Sequence, residues 1–155
     1  EKNSCAESFA KQLNFDSQEL KQHAEAYRIE LVKNVATKQS SAEDTSVLLL
    51  DAAGLFKALL DDIQAGLPTG FIAQCFHDAF VRVLVEMAEL VRAVYGISIV
   101  ALGGGVFMNR YLTEQALIQL QERGFTVAMN KDLPPNDASI SYGQAVLGWQ
   151  AQNKE

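Results

Sequence analysis

The chain has 155 residues, of which 48% are hydrophobic and 21% are charged, a balance that is ordinary for a globular protein. Its 13 basic and 19 acidic residues give a net charge of -6, and no cluster of lysine and arginine interleaved with aromatic residues occurs, which argues against a nucleic-acid partner. No apolar run approaches the ~20 residues that span a bilayer, and the first residues lack a signal-peptide core, so we expect a cytoplasmic protein without a membrane partner.

A chain of this length buries one hydrophobic core, which predicts one domain or one lobe of a larger protein. The sequence begins with Glu1 and not with a methionine, which favours a lobe. Its two cysteines, Cys5 and Cys75, do not have the spacing of a metal site. Cys75 falls on the apolar side of a predicted helix, where a buried free thiol is expected, and we interpret both cysteines as structural.

The first predicted element is an amphipathic helix over residues 17–37, in which apolar side chains recur at close to helical spacing. The polar run TKQSSAEDTS, residues 37–46, breaks this periodicity and predicts a surface loop. We therefore divide the chain into a helical lead-in segment over residues 1–46 and a lobe over residues 47–155.

Residues 47–50 are apolar and predict either a short strand or the lead-in to a helix. Asp51 is suited to cap a helix over residues 52–65, which Gly66 ends.

The longest predicted helix follows, because apolar residues between positions 71 and 94 recur at intervals of three, four and seven. Gly96 ends this helix. The nearly continuous apolar run over residues 97–102 is typical of a strand that is buried on both faces in a parallel sheet.

The last part of the chain predicts a helix over residues 110–123, a second strand over residues 125–129 and a final helix over residues 138–150. A strand, a helix and a strand in so few residues form a crossover unit with parallel strands. The loops that follow the two strands are therefore expected along one edge of the sheet, where open parallel sheets bind ligands.

These two loops carry the candidate functional residues. The first is the glycine bend, residues 103–105, and glycine lets backbone N–H groups come close to a phosphate or a ribose, although a tight turn needs glycine too. Asn109 follows at the start of a helix as a cap or a ligand contact. In the second loop Asp137 is either the N-cap of the last helix or a functional carboxylate.

The strings GGGVFMNRYL and GFTVAMNKDLPPNDASISYGQAVLG resemble the C-terminal end of the hydrogenase-maturation carbamoyltransferases, the HypF family, whose pattern there is approximately SGGVFQN and then PPNDGGISLGQA. Residues 63–80, IQAGLPTGFIAQCFHDAF, are similar to the family pattern G-x-x-x-x-x-I-A-x-x-F-H. The resemblance runs from about residue 48 to residue 148. The first third of the chain is assigned by continuity.

The resemblance implies an α/β fold, the C-terminal lobe of an actin-like ATPase (ASKHA) fold, with a short parallel sheet, helices and a helix-rich N-terminal third. It implies a carbamoyltransferase that moves a carbamoyl group from carbamoyl-adenylate to a C-terminal cysteine of a partner protein during nickel-iron hydrogenase maturation. The adenylate would be made from carbamoyl phosphate and ATP by the N-terminal domains of the same enzyme. This chain alone is then expected to have little or no activity.

The resemblance also assigns roles to residues. It implies that Gly103, Gly104, Gly105 and Asn109 contact the nucleotide and that Asp137 is a ligand of a divalent metal. Carboxylate and imidazole together suit iron or zinc, and the histidine ligands are expected in a segment outside this chain. No catalytic residue is assigned.

The two histidines of the chain are interpreted without a metal role. Phe76 and His77 match the family pattern, and we interpret His77 as structural or as support for a neighbouring site residue. His23 is too distant in sequence and context to share a site with it.

Three positions depart from the family pattern. Gly103 stands where the family usually has serine, and Ala138 and Ser139 stand where it has two glycines, so side chains would narrow the approach of a ligand to this loop. These changes permit an alternative, a catalytically inactive nucleotide-binding or scaffold lobe of the same fold. A relative of the tRNA threonylcarbamoyl-adenosine enzymes is a further alternative, against which the PPND string, the Phe-His pair and the acidic charge argue.

Overall fold

The computed structural model describes residues 17–34 and 47–153. In chain order, the helices and strands of these residues are α1 (Ser17–Ala26), β1 (Glu30–Asn34), β2 (Val47–Asp51), α2 (Ala53–Gln64), α3 (Thr69–Tyr95), β3 (Ile99–Leu102), α4 (Arg110–Glu122), β4 (Thr126–Met129) and α5 (Ile140–Gln152). Short 3-10 turns, Gly105–Met108 and Asp137–Ser139, precede α4 and α5.

The chain divides into two compact units, Glu1–Val83 and Leu84–Glu155. The boundary expected at residue 46, the surface loop over residues 37–46 and Cys5 lie outside the described residues. The division into a lead-in segment and a lobe at residue 46 therefore stays a prediction.

In the first unit, β1 and β2 form an antiparallel pair in which Glu30 faces Asp51 and Asn34 faces Val47. The helix predicted over residues 17–37 is therefore wrong over residues 30–34, and residues 35–37 lie outside the described part of the chain. Tyr27, Ile29 and Leu31 alternate with exposed residues, as the side chains of a strand do. Because Tyr27 and Leu31 are four residues apart, their spacing fits the period of a helix and of a strand equally well.

Residues 47–50 are part of a strand and not of a helix, which decides between the two alternatives. Asp51 Oδ1 accepts a hydrogen bond of 2.8 Å from the Ala53 N–H, the first of α2, so it satisfies a helix N–H as predicted. The N-cap position itself is held by Ala52 and not by Asp51. Gly66 follows the helix with a φ of 73°, a conformation that favours glycine.

The core of the first unit is built from the segment between α1 and β1, from α2 and from the first half of α3, with Leu31 of β1 packed against it. Arg82 supports it from α3, since its guanidinium donates to the backbone carbonyls of Ala24 and Tyr27 at the end of α1, at 2.7 and 3.1 Å. Such bonds satisfy carbonyls that have no partner inside the helix. The buried members of this core are Tyr27, Ile29, Leu55, Ala58, Phe71, Ile72, Cys75, Ala79 and Val83.

In the second unit, β3 and β4 pair in parallel, with Ile99 opposite Thr126 and Leu102 opposite Met129. The helix α4 connects them, so the predicted strand, helix and strand unit is confirmed. α3 ends at Gly96, whose φ is 70°, as predicted. An α/β architecture with a short parallel sheet is therefore present.

The expected burial of β3 on both faces is wrong. Ile99 is 66% exposed, and Ala101 is exposed as well. In the described part of the chain β3 is hydrogen-bonded to β4 alone, so its other edge has no partner strand there. The strand borders an open apolar groove of about 330 Å³ in this unit, lined among others by Leu84, Met87, Val91, Ile99, Phe107 and Phe125.

Candidate functional site

The glycine bend directly follows β3, and all three of its glycines are exposed. Gly104 has a φ of 103° and a ψ of 159°, a combination that is essentially restricted to glycine. A Cβ added to Gly103 meets no atom within 4 Å, and its φ is outside the left-handed region. The bend thus requires glycine at position 104 for its shape, whereas position 103 has room for a side chain.

The bend lies against the loop formed by residues 134–139. The Gly104 N–H donates a hydrogen bond of 2.7 Å to the Pro135 carbonyl, and a Cβ built on Gly105 is 3.8 Å from the Cβ of Asn136. The two loops that were predicted to share one edge of the sheet are therefore in contact. Because the Gly104 N–H already donates to Pro135, the role of Gly104 is to give the bend its shape.

The 3-10 turn Gly105–Met108 continues the bend. Its first two N–H groups, those of Gly105 and Val106, have no partner inside the turn because they precede its first hydrogen bond. The buried Thr113 supports the turn, since its hydroxyl donates to the Phe107 carbonyl at 2.8 Å. Thr113 was not among the residues predicted from the sequence, where the available signal was a hydroxyl beside the apolar Leu112 of a predicted helix.

Asn109 caps α4. Its side-chain Oδ1 accepts a hydrogen bond of 3.1 Å from the Leu112 N–H, and its backbone is extended, as N-cap residues require. The capping role weighed for Asn109 is confirmed. Its contact with a nucleotide stays a prediction.

Asp137 is exposed and opens the 3-10 turn before α5. Of the two alternatives weighed for Asp137, the N-cap is wrong, because the preceding Asn136 is extended and its Oδ1 accepts from the Ala138 N–H at 3.1 Å. Asparagine and aspartate cap equally well, so the sequence alone does not distinguish two such neighbours.

The metal role of Asp137 stays a prediction. Residues 17–34 and 47–153 contain no group of three or more histidine, cysteine, aspartate or glutamate side chains that could hold a metal ion. A catalytic metal site commonly takes three protein ligands, so a single exposed carboxylate does not form one. The described residues alone do not fit a metal centre.

Ser139 uses its hydroxyl inside its own loop, where it donates to the Pro134 carbonyl. Ala138 is exposed beside it. The expectation that these two side chains narrow the approach to the loop stays a prediction.

Both histidines belong to the first unit and have partners there. His77 is half-buried, its Nδ1 is 2.6 Å from the Ala73 carbonyl on the same helix, and its ring packs edge-on against Phe76. His23 Nδ1 is 3.2 Å from Asp62 Oδ1. These contacts agree with the interpretation of His77 as structural.

None of the helices in residues 17–34 and 47–153 is both long and apolar enough to cross a bilayer.

Residues 8–144 match the model of a protein family described as carbamoyltransferase, Kae1-like domain, second subdomain. This match covers most of the chain, including the glycine bend and the 134–139 loop. Fold, site and match together define the class of protein, an α/β lobe of a carbamoyltransferase.

Two individual relatives support the same class. The carbamoyltransferase HypF of Synechocystis sp. is 35% identical over 105 residues, which are 68% of this chain and 13% of the relative. A carbamoyltransferase HypF homolog of Cupriavidus necator is 36% identical over 100 residues, 63% of this chain and 25% of the relative. The chain belongs to the HypF carbamoyltransferase family, which confirms the resemblance found in its motifs.

Solved structures show the same fold. A crystal structure of full-length HypF in the phosphate- and nucleotide-bound form superimposes with a TM-score of 0.61 at 30% identity, over 91% of this chain and 18% of that one. The structure of HypF from T. kodakarensis gives a TM-score of 0.54 at 29% identity, over 75% of this chain and 15% of that one. The chain thus spans a small part of the length of these relatives.

Proposed function

We propose that this chain forms one side of an adenylate site in a HypF-type carbamoyltransferase. The observation that carries the proposal is the exposed glycine bend held against the 134–139 loop by the Gly104 to Pro135 hydrogen bond. The full-length HypF whose fold this chain shares was solved in a nucleotide-bound form, which supports the same assignment.

The bend is suited to a phosphate or ribose for two reasons. Gly103 has no side chain and no neighbour where one would stand, so a ligand can approach the main chain. The N–H groups of Gly105 and Val106 begin the 3-10 turn without partners inside it, and such donors stabilise negative oxygens. Gly104 sets the direction of the bend, and Asn109 is carried over from the family as a further nucleotide contact.

Asp137 is the proposed ligand of a divalent metal, iron or zinc. The metal would supply electrophilic stabilisation of the reacting group, and its remaining ligands would be residues outside this chain. The part of this chain is limited to presenting one exposed carboxylate on the loop that contacts the glycine bend.

In the complete enzyme, the thiolate of a C-terminal cysteine on an acceptor protein would attack the carbamoyl carbon of carbamoyl-adenylate. A carbon–sulfur bond forms, the bond to the phosphate oxygen breaks, and AMP leaves. The acceptor belongs to nickel-iron hydrogenase maturation, and the N-terminal domains of the same enzyme supply the adenylate. This chain by itself is expected to bind a nucleotide weakly and to transfer little or nothing.

Isothermal titration calorimetry with AMP tests the proposal. We expect weak binding to the chain and loss of binding in Gly103→Val, whose new side chain occupies open space at the bend. Gly148→Val in α5 is the matched control, since a Cβ there also meets nothing within 4 Å. Gly104→Val is unsuitable because its φ of 103° would strain the backbone.

Equal heats for the wild type and Gly103→Val would remove the bend from the nucleotide site. No heat from either protein would favour the alternative, a scaffold lobe of the same fold.

A further inference from the structure

Asn136 contacts both sides of the proposed site at once. Its Oδ1 accepts from the Ala138 N–H at 3.1 Å, within its own loop. Its Nδ2 donates to Met108 Sδ at 2.9 Å, at the end of the 3-10 turn that continues the glycine bend. Because only the amide oxygen can accept the Ala138 proton, the amide nitrogen must face Met108.

Asn136 lies in the chain between two residues that matter for the proposed site. Pro135, directly before it, accepts the Gly104 N–H, and Asp137 directly follows it. Besides the backbone hydrogen bond from Gly104 to Pro135, the side chain of Asn136 thus supplies a second hydrogen bond between the loop and the turn that continues the bend. Met108 is 61% exposed, and a thioether is a weak acceptor. The hydrogen bond from Asn136 can therefore be strengthened or removed by substitutions at Met108.

We propose that Asn136 and Met108 are a positioning pair, which fixes where the loop carrying Asp137 stands relative to the nucleotide at the glycine bend. This inference rests on the proposed function. Neither side chain is taken to react. A nucleotide that touches both loops binds best when their separation is already set, because ordering a free loop during binding costs free energy.

Asn136→Asp keeps one of the two hydrogen bonds of Asn136 and removes the other. The carboxylate still accepts from the Ala138 N–H, but an oxygen now faces Met108 Sδ and can donate nothing. We expect AMP to bind about threefold to tenfold more weakly, the effect of one net hydrogen bond, while the melting temperature stays close to that of the wild type.

The double variant Asn136→Asp with Met108→Gln provides the rescue. The glutamine amide can donate to the new carboxylate, so the pair is restored with its polarity reversed. We expect AMP affinity to return to that of the single variant Met108→Gln. The double variant and Asn136→Asp carry the same charge, so recovery measures the hydrogen bond and not the repulsion of AMP by the added carboxylate.

Calorimetry with AMP on these four proteins decides the matter. The inference is overturned if Asn136→Asp binds AMP as tightly as the wild type, or if Met108→Gln fails to rescue it; the proposed function then still stands. Absence of AMP binding by the wild type would overturn the proposed function and this inference with it.

Discussion

The Tyr27 hydroxyl donates a hydrogen bond of 2.9 Å to Asp62 Oδ2, between a residue that is 0% exposed and one that is 5% exposed. The other carboxylate oxygen of Asp62 is 3.2 Å from His23 Nδ1. Burial, followed by the hydrogen bond and the charge of Asp62, raises the pKa of Tyr27. Asp62 therefore links the end of α1 to α2 through a buried polar network.

Removing this carboxylate should destabilise the first unit. We expect Asp62→Ala to lower the free energy of unfolding by about 1–3 kcal/mol, since it leaves the buried Tyr27 hydroxyl without its acceptor. Urea denaturation followed by circular dichroism measures the change. The neighbouring Asp61 is the matched control, because its ion pair with Lys57 is exposed, and Asp61→Ala should cost less than about 0.5 kcal/mol. Similar losses in both variants would contradict the prediction.

Stability should fall at alkaline pH through Cys75. Burial, with smaller contributions from Asp78 and Asp62, raises the pKa of this thiol from an ordinary 9.0 to about 12. The unfolded chain therefore loses the thiol proton first, so the contribution is complete below pH 9 and is lost as the pH rises toward 12. Unfolding free energies measured between pH 8 and 10.5 should decline more steeply in the wild type than in Cys75→Ala. Parallel curves would show that folding does not raise the pKa of this thiol.

The two neighbouring glycines of the bend should respond differently to alanine. Gly104→Ala places a Cβ on a backbone with a φ of 103°, and we expect a loss of about 1–3 kcal/mol in unfolding free energy. Gly103→Ala fills open space and should change it by less than about 0.5 kcal/mol. Thermal and urea unfolding compare the pair. An unchanged unfolding free energy in Gly104→Ala would mean that the bend adopts another conformation.

Thr113 should be needed for its hydroxyl and not for its volume. Thr113→Val keeps the shape of the side chain but deprives the Phe107 carbonyl of its donor, and we expect it to cost about 1–2 kcal/mol. Thr113→Ser retains the hydroxyl and serves as the control, with a smaller loss. If serine proves the more damaging replacement, packing and not the hydrogen bond is what position 113 contributes.

The sequence patterns predicted those elements in which one period is repeated many times. α3 and its end at Gly96 follow from apolar residues that keep a helical phase over more than six turns. The contact between the glycine bend and the 134–139 loop follows from the parallel order of β3 and β4, since both loops leave the same ends of their strands.

The patterns failed where one short spacing fits two structures. Tyr27 and Leu31 are four apart, which suits a helix turn and also two steps of a strand, and only the pairing with β2 selects the strand. Asn136 and Asp137 are adjacent capping residues, and only the backbone angles select the first. The exposure of Ile99 depends on what packs over the faces of β3, which its own residues do not encode.

The apolar groove beside β3 affects how this chain can be studied. A dye that fluoresces on contact with apolar surface has a place to bind in the native state, as well as in the unfolded one. A melt followed by such a dye will begin bright and will under-report the transition. Circular dichroism, which senses α3 directly, is the signal to use.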